Sequence, residues 1–306
     1  MRRKSGRPLN GWLIVDKPPG MTSTDVVNRV RRGFDAQKAG HGGTLDPLAT
    51  GVLPVAFGNA TKTVPYVMDG TKLYRFTLRL GDARDTDDAD GKTVAQSDVR
   101  PTDAQLTAAL PAFIGDIMQV PPAYSAIKVD GERAYDMARE GRAPTLPPRP
   151  ARVDRFELVE RPDADTAVFE VQSGKGVYMR SLARDLALAC SALGHVAALR
   201  RLRVGPFLEA QAISLDKCVR GADNPPASPD LLLPVATALA DIPALALTDA
   251  EAFGLSQGQA INLVDLMGRI PQTADPAGGL ARAMAGTRVI GLCRLSDGWL
   301  KPERLL

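Results

Sequence analysis

The sequence is poor in the residues that bind metals or form disulfides, with three cysteines and two histidines among 306 residues. The cysteines, Cys190, Cys218 and Cys293, lie far apart in the chain, so no CxxC pair exists. With only His41 and His195 to add, the ligand set of a structural zinc site is missing. A disulfide framework is excluded by the same count, which is typical of the reducing cytoplasm. We therefore expect a cytoplasmic protein that holds no metal.

Long apolar runs and several common catalytic motifs are also missing. No run approaches the roughly 18 residues of a membrane span, and the basic start of the chain lacks the apolar segment of a secretory signal. The motifs GxGxxG, GxxxxGK[ST] and HExxH are absent. These absences exclude a membrane protein and argue against dinucleotide, P-loop and zinc-protease chemistry.

The composition is that of a folded protein with an uneven charge distribution. Apolar residues make up 44% and charged residues 24%, which rules out global disorder. The net charge is only +3, but residues 1–45 hold nine basic and three acidic residues. Nucleic acid would fit this local excess. A solvated basic tail in an arginine-rich chain explains it equally well, so both interpretations stay open.

Local patterns predict alternating strands and helices in the first 200 residues. Apolar runs and alternation predict strands at 12–15, 74–80, 153–158 and 167–171. Capping residues and helical periodicity predict three helices. They are a helix capped by Ser23 or Thr24 and ending near Gly33, a helix opened by the capping box Thr102 and Gln105, and a helix over Ser181–Leu193.

The tail of the chain has a different composition. Residues 221–230 are rich in proline, aspartate and asparagine and predict a linker or loop. After Thr248, short apolar runs alternate with glycine-rich turns, which is typical of a small β-rich module. We therefore predict two domains, 1–240 and 241–306, the first preceded by a basic tail at 1–10.

An acidic segment suggests a cation site at first sight, with aspartates at Asp82, Asp85, Asp87, Asp88 and Asp90. The spacing to Gly91 would place Thr86 at the first ligand position of a calcium loop, and no glutamate closes that loop. We therefore predict a charged loop, or one that is ordered by arginine.

One carboxylate stands out because of its neighbours. Asp46 lies between the glycine-rich turn at 40–43 and Pro47. The proline keeps Asp46 out of helical geometry, and the glycines allow a substrate to approach closely. A turn aspartate that caps the following residues is the ordinary alternative, and the residues alone favour it.

The neighbourhood of Asp46 resembles the catalytic signature of the TruB-type pseudouridine synthases, the bacterial tRNA pseudouridine-55 synthases. The segments that resemble this family follow one another in family order over about residues 10–207, and they are 16–23, 41–55, 74–91, 121–128, 174–182 and 199–203. Gly42 stands where many members carry threonine, and Gly174 where many carry serine. We expect shifted hydrogen bonds there rather than lost activity.

The resemblance implies a mixed α/β (α+β) fold with a mainly antiparallel central sheet and a C-terminal PUA-like RNA-binding domain. It implies isomerisation of a uridine in the T-loop of tRNA, at position 55, with the base flipped out of its stack. The reaction breaks the C1′–N1 bond and rejoins the base through C5, so no cofactor is needed. The implied partner is the T-arm of tRNA, and we expect a monomer.

The family assigns a role to each matching residue. Asp46 is the nucleophile, which attacks C6 of the base or C1′ of the sugar, or promotes a glycal. Arg180 pairs with Asp46, while Tyr74 stacks on the flipped uracil near the proton that leaves C5. Tyr178 contacts the uridine edge or sugar, and Leu199 forms part of the pocket wall.

The remaining implied residues surround these. His41 stacks beneath the displaced loop nucleotides, Lys17 and Pro18 support the catalytic segment, and residues of about 128–150 form a flap over the RNA. Without the resemblance, each of these site residues is equally an ordinary core residue, turn residue, salt bridge or solvated face.

Two alternative functions use the same residues. A non-catalytic tRNA-binding or tRNA-folding protein would use the same surface without Asp46 chemistry. A glycosidase-like hydrolase would need a second carboxylate in the pocket, where the motifs supply an arginine and a tyrosine.

Overall fold

The computed structural model describes residues 6–129, 131–219, 226–275 and 278–306. Three predicted segments lie partly outside the described residues: residues 1–5 of the basic tail, residue 130 of the flap, and residues 220–225, which include the first half of the linker. Within the described ranges the chain forms two separate sheets with helices on or beside them.

The first sheet and its two small hairpins take up the chain as far as Ser214. Their strands are β1 (Gly11–Lys17), β2 (Ala39–His41), β3 (Thr50–Phe57), β4 (Lys72–Leu80), β5 (Asp82–Arg84), β6 (Thr93–Gln96), β7 (Gly115–Gln119), β8 (Lys128–Val129), β9 (Glu132–Arg133), β10 (Arg149–Asp163), β11 (Thr166–Ser173), β12 (Gly194–Val204), β13 (Phe207–Leu208) and β14 (Ile213–Ser214). The α-helices of this part are α1 (Ser23–Gly33), α2 (Val64–Asp69), α3 (Asp103–Ala109), α4 (Ala134–Arg139) and α5 (Met179–Ala189).

The central sheet is mixed and mainly antiparallel. Its order is β14-β1-β3-β12-β4-β11-β10-β7, with β2 added to β3 and β13 added to β12. Only the β1–β14 and β3–β12 pairs are parallel. The predicted α/β fold with a mainly antiparallel sheet is therefore confirmed, and β12 lies at its centre although it comes late in the chain.

The continuous apolar run of β1 is explained by the burial of both faces of the strand. Leu13 and Val15 enter the large core beneath α1 and α5, whereas Trp12 and Ile14 enter a second core on the opposite face. All four side chains are at most 2% exposed. A strand that is covered on both faces needs apolar residues at every position rather than at alternate ones.

The helix start at α1 differs from the prediction. Thr22, not Ser23 or Thr24, is the cap, because Thr22 and Asp25 form a reciprocal capping box. Ser23 is buried instead, and its side chain bonds to Leu45. The capping box Thr102 with Gln105 is confirmed at the start of α3.

Helix α5 is shorter than predicted. It ends at Ala189, whereas the periodicity predicted a helix as far as Leu193. Ser191 has φ of 57°, in the left-handed region, and the amide of Ala192 bonds back to the carbonyl of Ala187. This turn closes the helix and directs the chain into β12.

The second sheet forms the end of the chain, in the order β15-β17-β18-β19-β16. Its elements are β15 (Ala244–Ala246), α6 (Asp249–Ser256), β16 (Ile261–Asn262), β17 (Leu280–Ala285), β18 (Arg288–Ser296) and β19 (Trp299–Leu305). It has its own apolar core, which includes Leu245, Leu255 and Leu295. The predicted β-rich module therefore begins at β15, a few residues before Thr248. No helix in the described ranges is long and apolar enough to span a membrane.

Candidate active site

The segment 42–49, here called the catalytic loop, connects β2 to β3 and carries Asp46. Asp46 Oδ2 lies 2.9 Å from an Nη atom of Arg180, and the Arg180 side chain is 6% exposed whereas that of Asp46 is 38% exposed. One carboxylate oxygen is thus held by a buried guanidinium, and the group still faces solvent. This is the arrangement of a carboxylate that is kept charged, oriented and accessible.

Arg180 is held in place by several groups. It donates to the carbonyls of Thr86 at 3.0 Å and Tyr124 at 2.9 Å, and it lies 3.5 Å from the buried carboxylate of Asp88. Its position near the start of α5 places it between the acidic segment and the catalytic loop. The guanidinium is therefore fixed before any substrate arrives.

The acidic segment is ordered by arginines, as predicted. Asp88 pairs with Arg180, and Asp87 pairs with Arg184 at 2.8 Å. Thr86 donates its hydroxyl to Asp88 at 2.6 Å. Two turns of α5 and the acidic segment therefore form one charged network behind Asp46.

Lys17 holds the catalytic loop from the side of β1. Its fully buried ammonium donates to the carbonyls of Pro18 at 2.8 Å, Pro47 at 3.1 Å and Ala49 at 2.7 Å. Burial lowers the pKa of Lys17 to about 8, opposed by the nearby charge of Asp46. Pro18 takes part in this support through its carbonyl.

Arg201 is a site residue that the sequence analysis did not single out. Its guanidinium, 1% exposed, donates to Gly43 at 3.1 Å, Thr44 at 3.2 Å and Val52 at 2.8 Å, on both sides of Asp46. Burial lowers the pKa of Arg201. The available signal was an arginine in the middle of a strand that the apolar pattern would bury.

Backbone contact between β3 and β12 is close where Arg201 inserts. Gly51 has φ of 96°, and a Cβ at that position would collide with the carbonyl of Arg201. Gly42 is also closely packed, since a Cβ there would meet Val67 Cγ1 at 3.0 Å and Trp12 at 3.2 Å. Glycine at position 42, where many family members carry threonine, therefore matches the space that this chain provides.

Tyr74 and Leu199 lie on the neighbouring strands β4 and β12. Tyr74 is half-buried against the large core, and its phenol interacts with the guanidinium of Arg201. Leu199 is 8% exposed and belongs to the same apolar cluster. The two residues form an apolar wall that ends in the Tyr74 hydroxyl.

Tyr178 is the cap residue of α5, two positions before Arg180. Its backbone amide donates to Gln119 Oε1 at 2.8 Å, and its carbonyl accepts from Gln119 Nε2 at 3.0 Å. Burial raises the pKa of Tyr178, and the nearby Asp46 charge acts in the same direction. The phenol is thus neutral and can donate a hydrogen bond.

His41 ends β2 at the entrance to the catalytic loop. Burial and the charge of Arg201 both lower the pKa of His41, so the ring is uncharged at neutral pH. Its Nδ1 atom is buried without a partner. An uncharged, flat ring beside a loop fits stacking better than phosphate binding.

The predicted flap has its own local structure. Residues of the β8–β9 hairpin lead into α4, where Tyr135 lies edge-on to Tyr124 with 5.9 Å between ring centroids. Arg139 covers Tyr135 at 4.5 Å. Because the Tyr124 carbonyl accepts from Arg180, the flap is connected directly to the charged network.

Among the described residues, no group of three or more His, Cys, Asp or Glu side chains is arranged to hold a metal ion. Asp46 is an oriented and accessible carboxylate, because Arg180 holds its side chain while Lys17 and Arg201 hold the backbone on either side of it. Such a group can act as a nucleophile.

Comparison with known proteins identifies this arrangement. A model of the TruB family pseudouridylate synthase N-terminal domain matches residues 31–179, the tRNA pseudouridylate synthase B C-terminal domain matches 180–240, and the pseudouridine synthase II TruB C-terminal domain matches 243–306. The fold and the site therefore define a pseudouridine synthase.

Relatives that are similar over the full length of the chain identify the family within this class of enzymes. Proteins named tRNA pseudouridine synthase B are 77% identical in Gluconacetobacter diazotrophicus, with both chains fully covered, and 60% identical in Gluconobacter oxydans, covering 100% of this chain and 93% of the relative. The relative in Rhodospirillum rubrum is 52% identical, with 100% and 99% covered. The chain belongs to the TruB family of pseudouridine synthases.

Solved structures support the fold. A Cbf5-Nop10-Gar1 complex contains a chain with a TM-score of 0.73 and 25% identity, covering 97% of this chain and 85% of that one. The archaeal box H/ACA sRNP Nop10-Cbf5 complex gives a TM-score of 0.72 at 24% identity, with 100% and 92% covered. The overall fold thus recurs in solved structures of low sequence identity.

Proposed function

We propose that this chain isomerises a uridine of tRNA to pseudouridine and that Asp46 is its nucleophile. The observation that carries the proposal is the ion pair of an accessible Asp46 with the buried Arg180, in a chain of the TruB family. One oxygen of Asp46 is held at 2.9 Å by the guanidinium, which leaves the carboxylate free to attack substrate with the other.

The reaction requires a flipped base, because a stacked and paired uridine hides C1′ and C6. The flipped uracil would lie against the wall of Tyr74 and Leu199, with Tyr178 at its edge or sugar. His41, uncharged and at the rim, would stack beneath the displaced loop nucleotides. The Tyr74 phenol, which interacts with Arg201, is the group placed to assist proton loss from C5.

The substrate we propose is the T-arm, with the target at position 55 of its loop. The chain would act as a monomer in the cytoplasm and need no cofactor. The domain division would fall at 240/241, and residues 241–306 would form a PUA-like RNA-binding domain. The second sheet with its own apolar core supports that division.

The geometry favours the enzyme over its alternatives. A purely RNA-binding protein has no use for a carboxylate that is held by a buried arginine yet left exposed. A glycosidase-like hydrolase needs a second carboxyl group that acts as an acid. Asp88 is the nearby candidate, but its side chain lies 7% exposed against Arg180 and accepts a hydrogen bond from Thr86, so both of its oxygens already have partners.

Tritium release from tRNA labelled with 5-³H-uridine tests the function. Wild-type protein should release label from a T-arm substrate and not from the same RNA with the target uridine replaced. Asp46→Asn preserves shape but removes the nucleophile, so RNA binding should persist while release disappears. Release at more than trace level by Asp46→Asn would show that another group carries the chemistry.

A further inference from the structure

The outer face of α1 carries three arginines, and one of them, Arg29, is close enough to Asp25 for its charge to help lower the pKa of that carboxyl group. Arg29, Arg31 and Arg32 are exposed, and none of them forms an ion pair with any residue that the structure describes. The buried face of the helix consists of Ser23, Val26, Val27 and Val30, so the arginines point away from the core. Arg29 and Arg32 are three residues apart and therefore lie on one side of the helix, and Arg31 is adjacent to Arg32.

Exposed arginines of the central sheet behave differently. Arg79 pairs with Asp165 at 3.3 Å, and Arg155 pairs with Glu157 at 2.9 Å. These two guanidinium groups are 47% and 42% exposed, so exposure alone does not leave an arginine unpaired here. The free charges on α1 are therefore a local feature of that helix.

The three arginines line an open groove of about 570 Å³, here called the α1 groove. The other residues that form it are Gly20, Met21, Asp25 and Asn28. Its near end is attached to the active site, because the amide of Gly20 donates to the carbonyl of Pro47 at 2.9 Å. The groove and the catalytic loop are thus parts of one surface.

Asp25 is the carboxylate in this groove, and it is already engaged. It accepts hydrogen bonds from the Thr22 hydroxyl at 2.5 Å and the Thr22 amide at 3.2 Å, and these bonds lower the pKa of Asp25. Three guanidinium groups against one committed carboxylate leave a net charge of about +2 in the groove. Such a surface matches a chain of phosphates.

We propose that the α1 groove binds the phosphates of the RNA strand that flanks the target uridine. The proposal rests on the proposed function for the identity of the polyanion. At 1.5 Å per residue, Arg29 and Arg32 lie about 9 and 14 Å along α1 from its first residue, Ser23, which bonds to Leu45 of the catalytic loop. Phosphates at that distance belong to the same hairpin as the flipped base, so the T-arm alone should occupy the groove.

The double variant Arg29→Gln/Arg32→Gln tests this assignment against Arg79→Gln/Arg155→Gln. Both remove two charges, and glutamine preserves α1 because its helix propensity is close to that of arginine. The affinity for an isolated T-arm hairpin and for whole tRNA is measured between 50 and 200 mM salt. Each lost phosphate contact should reduce the slope of log affinity against log salt by about 0.7–0.9, giving about 1.5 for the α1 variant.

The control variant should keep the wild-type slope, since its arginines are neutralised by carboxylates. The α1 variant should lose the same amount of slope with the hairpin as with whole tRNA. Equal slopes for the two variants would overturn the proposal, and so would a loss seen only with whole tRNA. Absence of tritium release by wild-type protein would instead contradict the proposed function, independently of these slopes.

Discussion

At the scale of single residues, the catalytic loop is held by cations that donate to its backbone. Lys17 binds the carbonyls of Pro47 and Ala49, and Arg201 binds those of Gly43 and Thr44. Buried carbonyls that lose such donors are left unsatisfied, at about 1–3 kcal/mol each. The position of Asp46 therefore depends on side chains that never need to touch RNA.

Arg201→Lys should separate this positioning from RNA binding. Lysine keeps the charge but cannot donate to three carbonyls in a plane, so the loop should shift. We expect the single-turnover rate to fall by tenfold or more with little change in tRNA affinity. Arg203→Lys is the matched control on the same strand, where the arginine bonds Gln172 at 3.3 Å. A rate loss of the same size in Arg203→Lys would remove the special role of Arg201.

Substitutions of Tyr74 distinguish its ring from its hydroxyl. Tyr74→Phe keeps the ring for stacking but loses the phenol, so it should bind tRNA like wild type and react far more slowly. Tyr74→Ala should lose binding as well, because base–aromatic stacking contributes about 1–3 kcal/mol. Single-turnover rates, tRNA affinities and melting temperatures are compared. A near-normal rate for the phenylalanine variant would leave stacking as the only role.

At the scale of elements, α1 connects the active site to the sheet. Ser23 exchanges hydrogen bonds with the backbone of Leu45, donating at 3.1 Å and accepting at 2.8 Å. The first turn of the helix is thus bonded to the residue before Asp46. A substitution at the start of this helix should therefore also change the reaction rate.

Ser23→Ala should lower both stability and rate. The buried Leu45 amide would lose its partner, and the free energy of unfolding should fall by about 1–3 kcal/mol. Thr102→Ala provides the comparison, because it removes a helix cap of about 1 kcal/mol at α3, away from Asp46. We expect Thr102→Ala to melt earlier with an unchanged single-turnover rate. Equal rates for the two variants would contradict the coupling.

The helices and strands also show which features of the fold can be predicted from sequence patterns. The apolar run of β1, the capping box of α3 and the β-rich end of the chain were predictable because local composition determines them. The end of α5 was not, because Ser191 adopts a left-handed conformation that no glycine announces. The cap of α1 was misassigned because Ser23, a good cap residue, is used by the catalytic loop instead.

Only part of the candidate site could be predicted from the sequence. Asp46 and Arg180 lie 134 positions apart in the chain, and their ion pair came from a family resemblance rather than from spacing. Arg201 lies in the segment 199–203 that resembles the family, but no role was assigned to it there, since its partners are backbone carbonyls that any sequence provides. Contacts of this kind become visible only when the strand order is known.

At the scale of the whole molecule, two buried lysines predict that the stability of the fold increases with pH above about pH 8. Burial lowers the pKa of both Lys17 and Lys72 to about 8, from an ordinary value of 10.5. Between pH 8 and 9 the unfolded chain therefore binds more protons than the folded one, so stability should rise with pH. The contribution of the two lysines to the free energy of unfolding is complete above pH 10.5 and is lost as the pH falls through 8.

Denaturant unfolding at pH 8 and pH 9 measures this effect. Each lysine should add about 1 kcal/mol to the free energy of unfolding over this interval. Lys72→Met, which removes a donor to the carbonyls of Met68 and Gly70, should be less stable overall but show about half of the rise. A wild-type protein equally stable at both pH values would contradict the prediction.

The central place of β12 also has a consequence for how the protein is made. Asp46 is synthesised 155 residues before Arg201, whose side chain later satisfies the carbonyls of the catalytic loop. At 5–20 residues per second, a ribosome takes roughly 10–30 s to cover that distance. During that interval β3 and β4 emerge with the space between them unfilled, because β12 has yet to be translated. The nascent chain therefore carries Asp46 long before the arginine that holds its loop, and the site can be completed only after about two thirds of the chain has been translated.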